Sequence, residues 1–137
     1  MPFKKITIIR TRIPKDSAIN EQIQLFGGSL GLFNLRDKDK SCYRIFITLL
    51  KNLKKEGLSS DELAAKTGLT RGTVVHHLNK LMDTGLVLNY RKTYILNVDD
   101  ISSLVERIKK DVNKTLNELE QVAKDLDKRL GLEWKIN

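Results

Sequence analysis

Residues 70–80 read TRGTVVHHLNK and gather most of the side chains with chemistry to offer. A guanidinium (Arg71), two hydroxyls (Thr70, Thr73), two imidazoles (His76, His77), an amide (Asn79) and an ammonium (Lys80) fall within this one stretch. These are hydrogen-bonding groups of the kind that meet phosphates and base edges. They lack the pairings that catalysis requires. The chain has no Gly-Lys-Ser/Thr phosphate loop, no nucleophile with a plausible His partner and no carboxylate–His grouping, so no enzyme activity is expected. Neighbouring helical residues point about 100° apart, so His76 and His77 do not converge on one ion. The single Cys42 excludes an intramolecular disulfide and a multi-Cys zinc site, and it reads as small apolar filling rather than a redox switch. No metal and no cofactor are expected.

The rest of the chain must position that stretch. Its 137 residues amount to about one domain, and 40% are hydrophobic, enough for a core. Lys and Arg number 25 against 17 Asp and Glu, a net charge of +8. Residues 1–58 carry a net +7, residues 59–98 a net +2 and residues 99–137 a net −1. A polyanionic partner is therefore met by the front two-thirds, whereas the last third has the interleaved signs of a solvated helix. The bland reading of the surplus is solubility alone. The longest apolar runs are far short of the ~20 residues that cross a bilayer, and the start MPFKK is not a secretory leader. No membrane partner is expected, and the expected location is the cytoplasm.

Hydrophobic periodicity predicts the elements. Residues 3–13 are rich in β-branched side chains and predict a strand, with Ile6, Ile8 and Ile9 buried. On this reading the basic residues Lys4, Lys5, Arg10, Arg12 and Lys15 line a solvated strand edge; the other reading is an arm reaching nucleic acid. Asp16 or Ser17 caps a helix to about Phe26, ended by Gly27-Gly28. Asp39 or Ser41 caps a second helix over residues 42–55, with Ile45, Leu49 and Leu53 in its apolar stripe. Ser59 and Glu62 have capping-box spacing ahead of a short helix broken by Gly68. Thr70 caps a helix that Gly85 ends, with Val74, Leu78 and Leu81 on its buried face. The three-residue bend between these two helices makes a helix-turn-helix, with Ala64 and Ala65 allowing close approach and Leu69 filling the gap. Residues 86–89 and 93–97 then read as a hairpin with Tyr90, Arg91 and Lys92 at its tip.

The stretch LSSDELAAKTGLTRGTVVHHLNKLMDTGLV, followed by that hairpin, resembles the winged helix-turn-helix of bacterial and archaeal transcription regulators. The ArsR-like pattern is nearest, carried by Thr73-Val74, His77-Leu78, Leu81 and Gly85-Leu86-Val87. The resemblance spans about Ser41 to Asn97. It implies a half-buried structural role for His77. ArsR-like metal sensors typically hold their ion in Cys clusters or in carboxylate–His pairs on dimer helices, and this chain carries neither.

Within that frame, double-stranded DNA is the expected partner. Arg71 is expected to fork to a guanine edge or a phosphate. The Thr70 and Thr73 hydroxyls suit a phosphate at the positive helix end, and Gly72 permits close backbone approach. Val75 is placed for a thymine methyl, His76 and Asn79 for base edges, and Lys80 for a phosphate. Arg91 and Lys92, beside Tyr90, are placed for the backbone or the minor groove.

Asp99 caps a last helix from Asp100 to Leu130, stopped by Gly131. Ile101, Val105, Ile108, Val112, Thr115, Leu119, Val122 and Leu126 recur at steps of four and three, a heptad seam. Such a seam predicts a homodimer through a coiled coil or an antiparallel pair; the competing reading folds it back on residues 1–36. The expected fold class is mainly α with a small β-hairpin wing, and the expected layout has three parts. Residues 1–38 form a strand/helix extension, residues 39–98 a winged helix-turn-helix and residues 99–137 a dimerisation helix. The function read from this is a homodimeric, sequence-specific transcriptional regulator. The alternatives are a winged-helix protein-interaction module or an RNA-binding accessory factor.

Overall fold

The computed structural model describes residues 3–33, 40–53 and 56–132. Among these residues five helices and one hairpin follow in order: α1 (Ile19–Ser29), α2 (Ser41–Leu50), α3 (Ser60–Thr67), α4 (Arg71–Thr84), β1 (Val87–Tyr90), β2 (Thr93–Leu96) and α5 (Ile101–Arg129). The chain is mainly helical with a small wing.

The core forms where the apolar stripes of α2, α3 and α4 meet. Ile45, Phe46, Leu63, Val74 and Leu78 are completely buried there, and Leu81, Leu86, Val87 and Leu104 nearly so. Phe33 closes one side, edge-on to Phe46 and Tyr43 with ring centroids 5.4 and 5.7 Å apart. Cys42 is buried in the same cluster and its thiol faces the Leu32 carbonyl. Burial raises the Tyr43 phenol above its ordinary range, and its hydroxyl donates to Asn20 Oδ1 at 2.8 Å.

Caps account for the sharpest boundaries. Ser59 accepts from the Glu62 N–H at 3.1 Å, and the Glu62 carboxylate accepts from the Ser59 N–H at 3.1 Å, a complete capping box. Gly68 and Gly85 end α3 and α4 in the left-handed conformation at φ 71 and 88, which only glycine adopts without strain. β1 and β2 pair antiparallel with Val87 opposite Leu96 and Tyr90 opposite Thr93. Leu58 adds a single bridge to Tyr94, exchanging hydrogen bonds of 3.1 and 2.7 Å. The wing is thereby tied to the chain entering α3.

Several expectations are corrected. Residues 3–13 do not form a strand. Lys4 and Lys5 donate to the Thr84 carbonyl and Ile9 donates to the Ser29 carbonyl, so the segment is an extended arm without a ladder. Ile6 is half-buried, but Ile8 and Ile9 stay 63% and 51% exposed. The helix assigned to residues 16–26 starts later and runs further. Ala18 precedes it without a side-chain cap, and it passes through Gly27 and Gly28 to Ser29. Both glycines are buried; a Cβ on Gly27 would collide with the Phe33 ring. Close packing, not a helix stop, explains that pair. Helix α2 ends at Leu50 rather than near residue 55, and it follows Lys40 in the left-handed conformation with no side-chain cap. Asp39, Lys54 and Lys55 lie outside the described residues. Ala64 packs on the core, whereas Ala65 faces solvent.

Helix α5 is 29 residues long, about 44 Å at 1.5 Å per residue. Its cap is Asp100, not Asp99: the Asp100 carboxylate accepts from the Ser103 N–H at 2.7 Å. Leu104 anchors the helix in the core, with Ile108 packed beside it. Arg107 also donates to the Asn97 carbonyl, and the Phe3 N–H donates to the Asp111 carboxylate at 3.1 Å. Apart from Ile108 and Val112, the seam is uncovered. Ile101, Val105, Leu116, Leu119, Val122 and Leu126 are all exposed, and Val112 is half-buried.

Candidate nucleic-acid interface

Helix α4 is held by its oily side. Val74, Leu78 and Leu81 enter the core, which leaves the opposite face and the first turn in solvent. Thr70, Arg71, Gly72, His76, Asn79 and Lys80 are exposed; Thr73 and Val75 are half-buried. Apart from the helix's own backbone and the two adjoining residues, no atom lies within 4 Å of a Cβ built on Gly72, so that side of the first turn is open.

The first turn differs from expectation in one respect. Thr70 Oγ1 accepts from the Thr73 N–H at 3.2 Å and donates to Thr73 Oγ1 at 2.9 Å. The two hydroxyls cap the helix and bond each other. A phosphate at this end would meet the remaining backbone N–H groups and the positive helix terminus instead.

Arg71 is not a solitary cation. Its Nε lies 3.4 Å from Asp61 Oδ1 and 3.5 Å from Ser60 Oγ, so the first turn of α3 holds it beside the start of α4. Both side chains of the ion pair are largely exposed, at 71% and 80%. Such a pair contributes little to stability and leaves the guanidinium available. Ser60 and Asp61 were not singled out from the sequence. Their capping-region position was legible, but their approach to Arg71 depends on the angle between the two helices.

His76 and Asn79 share the exposed face. Asp83, four residues beyond Asn79, is exposed too and makes the far end of that face acidic. The half of α4 suited to an anionic polymer is therefore its N-terminal half. His77 turns away from this face, half-buried and edge-on to His76 with ring centroids 5.3 Å apart. Lys80 borders a cavity of about 330 Å³ that the arm and α5 also line, which puts it on the flank away from Arg71.

The wing presents a second cationic point. Arg91 and Lys92 form a two-residue turn with φ of 51 and 66, the doubly left-handed turn that suits the twist of a hairpin. Both are exposed, and the Arg91 guanidinium stacks over the Tyr90 ring at 5.1 Å from its centroid. Among the described residues, no group of three or more His, Cys, Asp and Glu is placed to hold a metal ion, and no helix is long and apolar enough to cross a membrane.

A core of three helices, with one face of α4 left in solvent, and a basic two-stranded wing define a winged helix-turn-helix. Residues 47–88, from within α2 into β1, match the family model described as "Bacterial regulatory protein, arsR family". No match was found among curated proteins or among solved structures. Over residues 47–88 the chain is similar to arsR-family bacterial regulatory proteins, and its fold is a winged helix-turn-helix.

Proposed function

We propose that this protein binds duplex DNA sequence-specifically as a homodimer, with the start of α4 in the major groove and the wing on the adjacent backbone or minor groove. The observation that carries the reading is the exposure of Arg71, Gly72, His76 and Asn79 on a helix whose other face is locked into the core. In this reading residues 39–98 are the DNA-binding unit, residues 1–38 an extension, and residues 99–137 the dimerisation element. Arg71 reads a guanine edge or grips a phosphate, His76 and Asn79 meet base edges, and Val75 meets a thymine methyl. Arg91, Lys92 and the Tyr90 ring hold the backbone, and Lys80 makes a peripheral phosphate contact.

The exposed seam of α5 supports the dimer. Leu119, Val122 and Leu126 are roughly half exposed, a burial deficit that a second copy would correct. Two recognition helices related by a two-fold axis would then meet half-sites ~34 Å apart. A gel shift with random duplex, single-stranded DNA and RNA at two salt concentrations tests the reading. Preferred, salt-sensitive binding of duplex is the expected result, and preference for RNA or no binding at low salt refutes it.

A further inference from the structure

The N-terminal arm bridges a hollow instead of filling it. Lys4 and Lys5 are pinned through their N–H groups to the Thr84 carbonyl, and Ile9 through its N–H to the Ser29 carbonyl. Between these two pins, residues 5–7 pass over the cavity of about 330 Å³ that Lys80 borders. Beside the second pin, a Cβ on Gly31 would lie 2.9 Å from the Thr7 Cβ, so the arm already touches the loop after α1. The other two walls are the end of α4 and the base of α5. The arm, the loop and α5 all lie outside residues 47–88, so most of the cavity is built by elements beyond the matched stretch.

The lining divides by chemistry. Its inner wall is apolar: Leu86 and Leu104 are 2% and 1% exposed, and Ile6, Leu30 and Ile108 are half-buried. Its mouth is charged. Lys5, Lys80 and Asp83 are exposed there, two cations to one carboxylate, and among the described residues none of the three is in an ion pair. At the roughly 30 Å³ that one water occupies, the volume holds about ten non-hydrogen atoms. An apolar body of that size with one negative end fits both parts. The body takes the inner wall out of water, and the head meets two ammonium groups. A neutral body forfeits the charge, and a cationic head meets more like charge than unlike.

Lys80 also belongs to α4. In the function proposed above it makes a phosphate contact, and a ligand head that engages its charge competes with that phosphate. We propose that this cavity binds a small carboxylate with an apolar body, its head between Lys5 and Lys80, and that its occupancy weakens DNA binding by engaging Lys80. The site stands on the cavity alone, whereas the coupling rests on the function proposed above. By linkage, a bound duplex weakens the ligand by the same factor.

Octanoate matches the volume and serves as the probe; octanol and octylamine share its chain without the negative charge. Titration calorimetry on the full chain is expected to show saturable octanoate binding, with both analogues weaker by about tenfold, the loss of a charge-assisted contact. Lys5→Met is expected to weaken octanoate by about tenfold for the same reason. Ile6→Trp fills the cavity from the arm and should abolish octanoate binding while circular dichroism and duplex affinity stay parental. The site is overturned by absent octanoate binding, by equal or tighter binding of either analogue, or by undiminished binding in Lys5→Met or Ile6→Trp. In an anisotropy titration, saturating octanoate is expected to lower the parent's duplex affinity about fivefold and to leave Ile6→Trp unaffected. An unchanged parental affinity with octanoate bound overturns the coupling and leaves the site standing. Octanoate binding by a chain that binds no duplex refutes the proposed function and not the site.

Discussion

The Arg71 guanidinium sits 3.4 Å from the Asp61 carboxylate, joining the first turn of α3 to the first turn of α4 at the exposed N-terminal end of that helix. The pair holds the side chain beside the surface proposed to meet DNA, and it places a negative charge there as well. Asp61→Asn removes that charge and frees the guanidinium. Because both groups are largely exposed, the folded state changes little. DNA affinity is expected to rise about two- to fivefold at low salt, measured by anisotropy, and the gain should fade as salt screens the site. A loss of affinity would show that the pair is needed to orient Arg71.

The wing turn calls for a particular variant. Arg91 and Lys92 both hold positive φ, so alanine there would mix charge loss with backbone strain. Arg91→Asn with Lys92→Gly removes both charges and suits the turn. Binding to all duplexes should weaken alike, and the salt slope should fall by about 2, at ~0.9 per phosphate contact. An unchanged slope would remove the wing from the interface.

Leu104 and Leu119 separate folding from assembly on one helix. Leu104 is 1% exposed and anchors α5 to the core; Leu104→Ala should cost about 2–5 kcal/mol in denaturant unfolding. Leu119 is 56% exposed in the single chain. Leu119→Ala should leave unfolding at low concentration nearly unchanged and weaken self-association in sedimentation equilibrium. Equal effects on monomer stability would contradict the uncovered seam.

Asp100 caps α5 through Ser103, and hydrogen bonding from the Ser103 backbone and then its side chain lowers the carboxyl's pKa. A depressed folded-state pKa gives stability that is present above the unfolded value, near 3.9, and is lost as pH falls through the folded one. The start of α5 should therefore keep its helicity at neutral pH and lose it under strong acid, as followed by amide exchange. In Asp100→Ala the start of α5 should fray at neutral pH and show no such acid transition.

Much of this was legible in the sequence because local rules and the tertiary fold agreed. Ser59 with Glu62, Thr70 and Gly85 mark helix ends by chemistry that acts within a turn, and the structure keeps each of them. The readings that failed depended on neighbours far along the chain. The β-branched residues 6–9 suit a strand, yet no strand edge lies beside them among the described residues, so Ile8 stays exposed. Gly27 reads as a helix stop until Phe33 is seen against it. Leu104 falls outside the heptad seam and so escaped notice, although it fixes α5 to the core. The approach of Asp61 to Arg71 had no sequence signal, because it follows from how α3 crosses α4.

The central claim is that the start of α4 reads base sequence, and Arg71→Ala tests it most directly. A duplex selected from genomic fragments and its scrambled counterpart would be titrated against parent and variant at one fixed salt concentration. The account predicts that the parent prefers the selected duplex, and that Arg71→Ala loses about 1–3 kcal/mol of that preference while keeping its fold and weak general binding. Equal discrimination by parent and variant would contradict it.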